Sequence, residues 1–360
     1  MPSASAGASA ATNGPARADG DAMKLSFVMC SNRTGLEVVS RIGRLAALAS
    51  DEIEIVVRDN SGDPEKQDSL ARMQGPNRKI VSVDPCASWG NMLGALSLAT
   101  GDYIFEIHDD DDLNVIAMPG LLRGIRDIDN DPSYVAVAGF YVLELGAQSV
   151  LYSLEDFDAP TGGERVGSFV KSAYSVLHFS AIRRSVRTQL DDFNRSLPFR
   201  FAYLDQIQAV LLLSLGRFRT VRHVLYTYDM HNWADPVQAR RTDLKYYKDN
   251  GVDGSVLQLQ YLLQGFEGAK AIAEKFLPLP LTAAERLDIA HRWFGHKYSR
   301  FADGPVAVDE TARFNREAQA LAGKWKSRPE FDFAALLTDL SEFFALSDPA
   351  AGQRYYDFWK

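Results

Sequence analysis

The chain of 360 residues is 46% apolar and 24% charged, a composition that supplies a substantial core and excludes collagen, long coiled coils and a wholly disordered chain. Its 39 basic against 47 acidic residues leave a formal charge of −8, and no Lys/Arg-rich run gives electrostatic support to a nucleic-acid partner. Two cysteines, Cys30 and Cys86, are too few for a disulfide scaffold and suggest a reducing compartment; no apolar run approaches the ~18 residues that span a bilayer.

Met1 to Ala22 is rich in Ala, Ser and Gly and lacks an apolar signal-peptide segment, so it reads as a flexible tail. From Leu25 the pattern changes. Leu25 to Cys30 is a short apolar run ending in Ser31-Asn32-Arg33, a strand entering a polar loop. Leu36, Val39, Ile42, Leu45, Ala46 and Ala49 then recur at helical spacing. Ile53 to Val57 is a second strand, ending at Arg58-Asp59-Asn60-Ser61-Gly62, and a helix is expected after Pro64. Ile80 to Val83 is a third strand, and Trp89 to Ala99 a helix closed near Gly101. Tyr103 to Ile107 is a fourth strand that runs directly into Asp109-Asp110-Asp111-Asp112.

Strands and helices alternating at this spacing predict an α/β unit with a mostly parallel sheet flanked by helices. Ligands on such sheets bind beyond the C-terminal strand ends, so the loops at Asn32, Asp59 and Asp109 should share one rim. Further on, Val115 to Ile128 reads as a helix, Tyr134 to Leu143 as a strand and Glu155 to Gly163 as a loop. His178 to Ile182 is read as a strand leading to Arg183-Arg184, and Ala202 to Leu215 as a strongly apolar helix ending at Gly216. Val221 to Tyr228 is a strand delivering Asp229-Met230-His231-Asn232-Trp233. Beyond Ala234 the periodicity is helical, including Ala283 to Phe301 and Phe331 to Leu346. The organisation read from this is a tail (1–22), an α/β catalytic body (23–234) and a helical C-terminal region (235–360).

The four consecutive aspartates carry the strongest local signal. Two carboxylates ~4 Å apart repel by ~4 kcal/mol at an effective dielectric of 20, so such a cluster either takes a cation or splays into water. Oxygen ligands of this kind suit Mg²⁺ or Mn²⁺. An EF-hand does not fit, because the sixth position counted from Asp109 is Asn114 instead of Gly.

Five features together, spread from Leu25 to Asn232, resemble the inverting nucleotide-sugar glycosyltransferases of the GT-A fold, family-2 type. Ser26 to Arg33 is similar to the family's opening strand and Tyr-Asn-Arg turn, with Ser31 where Tyr is usual. Ile55 to Ser61 is similar to its apolar-Asp-Asp-Gly/Asn-Ser motif, with Arg58 in place of the first Asp and Asp59 matching the acid that reads the nucleobase. Asn91, followed by Gly101-Asp102-Tyr103-Ile104, resembles the Asn-bearing helix and Gly-Glu-Tyr-Ile. The acidic cluster stands for the metal-binding Asp-x-Asp; its register falls on His108-Asp109-Asp110 when counted from Gly101, or on Asp109 and Asp111 when read literally. Asp205 lies 11 residues before Gly216, as the family's catalytic Asp does, with Leu204 in place of Glu, and His231 follows Gly216 by 15.

The resemblance implies Asp205 as general base, with Cys30, Asn32, Asp59, Asn91 and Asp109 at the donor nucleotide. Asp110, Asp111 and His231 would then sit at a Mn²⁺ or Mg²⁺ ion. It implies a nucleotide-sugar donor, a glycan or glycolipid acceptor, and a cytoplasmic enzyme that can work at the inner face of a membrane, in polysaccharide assembly. Each residue also has a plain structural reading. Asp59 can close a turn, Asn91 and Asp205 can cap helices, and His231 can be an ordinary loop histidine. Trp89 reads better as a buried anchor than as a nucleoside platform, and Arg183-Arg184 better as solvated surface than as a phosphate grip. Two other functions fit parts of the pattern: a GT-A protein that only binds nucleotide or glycan, and a haloacid-dehalogenase-like phosphatase using Asp109 and Asp111.

Overall fold

The computed structural model describes residues 23–171, 177–276, 278–304, 308–327 and 332–360, so the N-terminal tail lies outside the described residues. The first half is built by alternation. Strand β1 (Leu25–Ser31) leads to helix α1 (Leu36–Ala46), β2 (Ile53–Asp59) to α2 (Pro64–Ala71), and β3 (Arg78–Ser82) to α3 (Ser88–Leu96), before β4 (Tyr103–His108). These four strands pair in parallel in the order β3-β2-β1-β4. Strands β1 and β2 are buried on both faces except at Cys30 and Arg58, which is why they read as unbroken apolar runs.

Local chemistry sets several boundaries. Asp63 accepts the Glu65 and Lys66 N–H groups and Pro64 occupies the first turn of α2. Gly101 lets the chain re-enter the sheet beside β1. A Cβ there would stand 2.7 Å from the Ser26 backbone nitrogen and 2.8 Å from the Lys24 carbonyl oxygen. One expectation is corrected in α1: Leu36 is 87% exposed, and the buried face runs through Val38, Ile42, Leu45 and Ala46. The helix begins at Leu36, so its first turn overhangs the edge of the core and the apolar stripe starts later.

Beyond β4 come the two-residue β5 (Asp112–Leu113), α4 (Met118–Asp129), and a hairpin of β6 (Tyr134–Leu145) with β7 (Gln148–Tyr152). Next are α5 (Gly162–Lys171), β8 (Ala181–Arg183), α6 (Arg184–Ser196), α7 (Leu204–Leu215) and β9 (Arg217–Asp229). The sheet continues β4-β8-β6-β9-β5, with β8 antiparallel to both its neighbours and β6 parallel to β9. Neither β7 nor α6 was expected from the sequence, and β8 is shorter than the predicted strand. Arg183 is not the solvated residue expected. Its guanidinium donates to the carbonyls of Ile128, Asp129, Asp131 and Tyr134, closing the C-terminal end of α4 onto β6.

The C-terminal region comprises α8 (His231–Ala234), α9 (Pro236–Asp249), α10 (Gln260–Lys270), α11 (Ala283–Asp303), α12 (Asn315–Lys326), α13 (Phe333–Ala345) and α14 (Pro349–Trp359). The chain changes character near residue 235, but the core does not divide there. One apolar cluster joins Phe157, Leu190, Phe201 and Leu211 to Tyr247, Phe266, Trp293 and Trp359. Its centre is α7, where Val210, Leu211, Leu212 and Leu213 are fully buried; burying one such side chain stabilises by roughly 1.5–3 kcal/mol. The helical region is thus packed onto the second half of the sheet body through α7. Among the described residues, no helix is long and apolar enough to cross a membrane.

Candidate active site

The strand register decides which loops meet. Ser31 of β1 pairs with Asp59 of β2, and Cys30 with His108 of β4, so the loops after these three strands emerge side by side. They form one wall of a cavity of about 460 Å³ that includes Cys30, Asn32, Asn91, His108, Asp109 and Asp110. The opposite wall comes from the head of α7 and from α9 and α10, and includes Asp205, Tyr246 and Gln264.

The first wall is tightly cross-linked. Asp109 accepts from the Ser31 hydroxyl at 2.7 Å and from the Asn32 and Arg33 backbone N–H groups, and pairs with the Arg33 guanidinium at 3.2 Å. A carboxylate so engaged is a brace for the β1 turn and is poorly placed to act as a phosphatase nucleophile. Asp59 is not on the cavity surface: it is fully buried and ion-paired to Lys66 at 2.6 Å, while Lys66 also donates to the Ser31 hydroxyl and the Arg33 carbonyl. The adjacent Asn60 lines the cavity instead. Asn91 does not act as an N-cap. Its amide donates to Asn60 Oδ1 at 2.7 Å and accepts from Arg58 Nη1 at 2.8 Å, so the unusual Arg58 ties α3 to β2. Burial, reinforced by Glu106 and Asp109, pushes the Cys30 thiol well above its usual range, so it stays protonated.

His108, Asp110 and Asp111 each offer a ligand atom within 4.8 Å of the others. Asp110 is ion-paired with Arg33, and Asp111 is fully buried. One Asp111 oxygen accepts the Asp229 N–H at 3.0 Å; the other, buried, has no hydrogen-bond partner among the described residues and lies 3.8 Å from His108 Nδ1. Burial drives the Asp111 carboxyl up to about 7. Burial alone would lower His108, but Glu106, Asp111 and Asp110 outweigh it and push the imidazole up to about 9. An orphaned buried carboxylate oxygen beside an imidazole and a second carboxylate is a donor set that fits Mn²⁺ or Mg²⁺. Behind it, Arg187, 1% exposed, pairs with Glu106 and Asp191 at 2.9 Å each. Burial would raise Glu106, but Arg187 and His108 hold it down to about 2.

His231 lies off the cavity wall and is half-exposed. Its backbone N–H and imidazole both engage Asp229, the residue whose own N–H reaches Asp111. The side chains of Asn232 and Trp233 lie outside the described residues. Asp205 stands in the first turn of α7, after the N-cap position of Tyr203, and takes the Gln206 N–H at 2.7 Å. Burial raises its carboxyl to about 6, against the pull of Lys297 and His108. Asp205 is therefore largely ionised at neutral pH yet basic enough to take a proton, as a general base requires.

Sequence reasoning missed most of the second wall. Asp243 and Tyr246 of α9 and Gln260, Tyr261 and Gln264 of α10 line it. Gln264 is 1% exposed and its amide nitrogen has no partner among the described residues. Burial raises Asp243 to about 6. Periodicity does not single these residues out: α9 is a polar helix that buries only Tyr247, and on α10 the glutamines sit among buried apolar residues. Trp89, expected as a core anchor, does pack against the larger apolar cluster, but it is only half-buried and lies on the cavity wall, its ring nitrogen without a partner among the described residues. His178, also on the wall, lies with its ring centre 6.2 Å from that of His108 and tilted to it, and burial holds it neutral, down to about 3.

No protein-family model and no curated protein matches the sequence. Solved structures do match. The chain is similar to residues 1–349 of S. aureus TarS, with a TM-score of 0.53 at 14% identity over 94% of this chain and 89% of that one. Against the same TarS fragment in complex with UDP-GlcNAc the TM-score is 0.55 at 15% identity, over 94% and 90% of the two chains. The full-length TarS structure matches at 0.52 and 14%, over 93% of this chain and 55% of that one. The likeness establishes a shared fold: a glycosyltransferase-like α/β architecture with a mostly parallel sheet, flanking helices and a helical C-terminal region.

Proposed function

We propose that the chain is a metal-assisted glycosyltransferase, moving a sugar from a nucleoside diphosphate sugar to an acceptor hydroxyl with inversion at the anomeric carbon. The observation that carries this reading is the convergence of Asp205, from the head of α7, with His108 and Asp110, from the end of β4, on one cavity. The fold shared with TarS, whose structures hold UDP and UDP-GlcNAc, supports a uridine diphosphate sugar as the first donor to test.

In this reading Cys30, Asn32, Asn91 and Asn60 receive the nucleotide. Asp59 and Asp109 act from behind it by holding Lys66, Ser31 and Arg33 in place. His108, Asp110 and Asp111 hold Mn²⁺ or Mg²⁺, which when bound supplies Lewis-acid stabilisation of the departing diphosphate. His231 steadies Asp111 through Asp229. Asp205 takes the acceptor's proton as its hydroxyl attacks from the face opposite the diphosphate, which inverts the centre. Tyr246, Tyr261, Gln260 and Gln264 offer aromatic faces and amide groups to a glycan or glycolipid acceptor, of the kind used in bacterial polysaccharide assembly.

Thermal melting with UDP-GlcNAc and other nucleotide sugars, each with and without Mn²⁺, tests the donor half, because a ligand that binds only the folded state raises the melting temperature. A metal-dependent rise is expected. If no nucleotide sugar stabilises the protein, with or without the ion, the reading is lost; if donor binds but no acceptor supports nucleotide release, a binding protein remains.

A further inference from the structure

The helix α11 belongs to the C-terminal region, yet one of its lysines reaches the site. Lys297 is 3% exposed, a rare state for an unpaired ammonium. Its stem passes close to Gly265 of α10, where a Cβ would stand 3.1 Å from the Lys297 Cβ. The ammonium lies 4.5 Å from the centre of the Trp293 ring and donates to Gln206 Oε1 at 2.5 Å. Gln206 is the residue whose backbone N–H holds Asp205. The chain of contacts is therefore continuous from α11 to the carboxylate assigned as base.

We propose that Lys297 is a positioning residue for the transfer reaction: through Gln206 it fixes the first turn of α7 and sets its cation beside the turn that carries Asp205. The proposal rests on the reading of Asp205 as general base. The groups that face Asp205 are Lys297 from α11, His108 from β4 and, across the cavity, Tyr246 from α9. Those that face Lys297 are Asp205 from α7 and, from its own helix, Arg300 and His296, the last held neutral by burial and by the two cations, down to about 4. Burial and Arg300 lower the ammonium to about 7, so the lysine holds its charge least firmly where Asp205 is already ionised and needs it least. Between pH 6 and 7 both charges are present, and there the pair matters most. An opposite charge nearby lowers a carboxyl, so loss of the ammonium must raise Asp205 further.

The test is a carboxyl-carbon NMR titration of protein labelled with ¹³C-aspartate, the Asp205 signal being the one absent from Asp205→Asn. Lys297→Met keeps the stem that packs on Trp293 and removes the charge, while Lys297→Arg keeps the charge; Lys297→Gln replaces Lys297→Met if that variant fails to fold. The expected result is an Asp205 midpoint near 6 in the native protein and Lys297→Arg, and about one pH unit higher in Lys297→Met. In parallel, acceptor-dependent nucleotide release in Lys297→Met falls about fivefold at pH 6 and converges to within about twofold at pH 8, with the donor KM unchanged. An unmoved midpoint, or a loss of rate equal at every pH, overturns the proposal. Full activity in Asp205→Asn would instead overturn the reading of the base, and the titration distinguishes the two.

Discussion

The two walls of the cavity are built on opposite terms. On the sheet side nearly every charge is already matched: Asp59 by Lys66, Asp109 and Asp110 by Arg33, Glu106 by Arg187. On the helical side, Asp243 is raised by burial alone and the Gln264 amide nitrogen is without a partner among the described residues. A buried matched pair is costly to break but leaves little freedom, whereas an unmatched polar group waits for something to bind. In the reading proposed above, the sheet wall suits a fixed, charged ligand such as a metal-diphosphate, and the helical wall an acceptor that completes its hydrogen bonds on arrival.

The sharpest way to break this division is Asp205→Asn. Transfer should fall by about 10²–10⁴ while donor-induced stabilisation is unchanged, measured by nucleotide release and by melting with UDP-GlcNAc. Loss of donor binding would show that Asp205 belongs to the sheet wall's task after all. Next in size is Lys66→Met, which strands the Asp59 carboxylate in the interior. Denaturant unfolding should show a loss of roughly 3–5 kcal/mol, and a much smaller loss would mean the pair is not the clamp described.

The double variant His108→Ala, Asp110→Ala removes two of the three candidate ligands. Mn²⁺-dependent donor affinity should drop at least about a hundredfold, with metal-independent binding preserved. Unaltered Mn²⁺ dependence would remove the ion from this site. The smallest effect is expected from Asp243→Asn on the other wall. Because the folded protein holds Asp243 protonated up to about 6, against an ordinary value of 3.8, its contribution to stability is complete below the ordinary value and is lost as pH rises through about 6. The asparagine does not suffer that loss, so the variant should match the native protein at pH 3.5 and exceed it by about 1–2 kcal/mol at pH 8. Melts at the two pH values decide it; equal stabilities at pH 8 would mean the carboxyl is solvated.

Much of the sheet wall was legible because its determinants are local or periodic. Each apolar run that ends in a polar turn became a strand ending at the rim, and the parallel register of β1, β2 and β4 then brought the three loops together. Roles within that wall were harder to read. Asp59 matches a nucleobase-binding motif, yet its partner Lys66 sits on the following helix, and only the folded chain shows the carboxylate turned inward. His231 lies at the expected offset from Gly216, but its ring is engaged with Asp229, an interaction between close neighbours that the spacing argument never weighed. The hairpin of β6 and β7 and the helix α6 escaped notice as well: β7 is largely exposed and α6 is mostly polar, so neither carries a clear apolar signal.

The amino-acid order alone determined where many of the elements lie and which strand ends carry carboxylates. The reason is that capping and strand burial are satisfied within a few residues: Asp63-Pro64, Asp235-Pro236 and Asp348-Pro349 each start a helix by the same local bonds. Only the tertiary structure decided that α7 presents Asp205 to the β4 terminus, that Lys297 lies behind it, and that α9 and α10 close the cavity. Those arrangements come from packing one apolar cluster between distant segments, and packing is specified jointly by all the surfaces it joins.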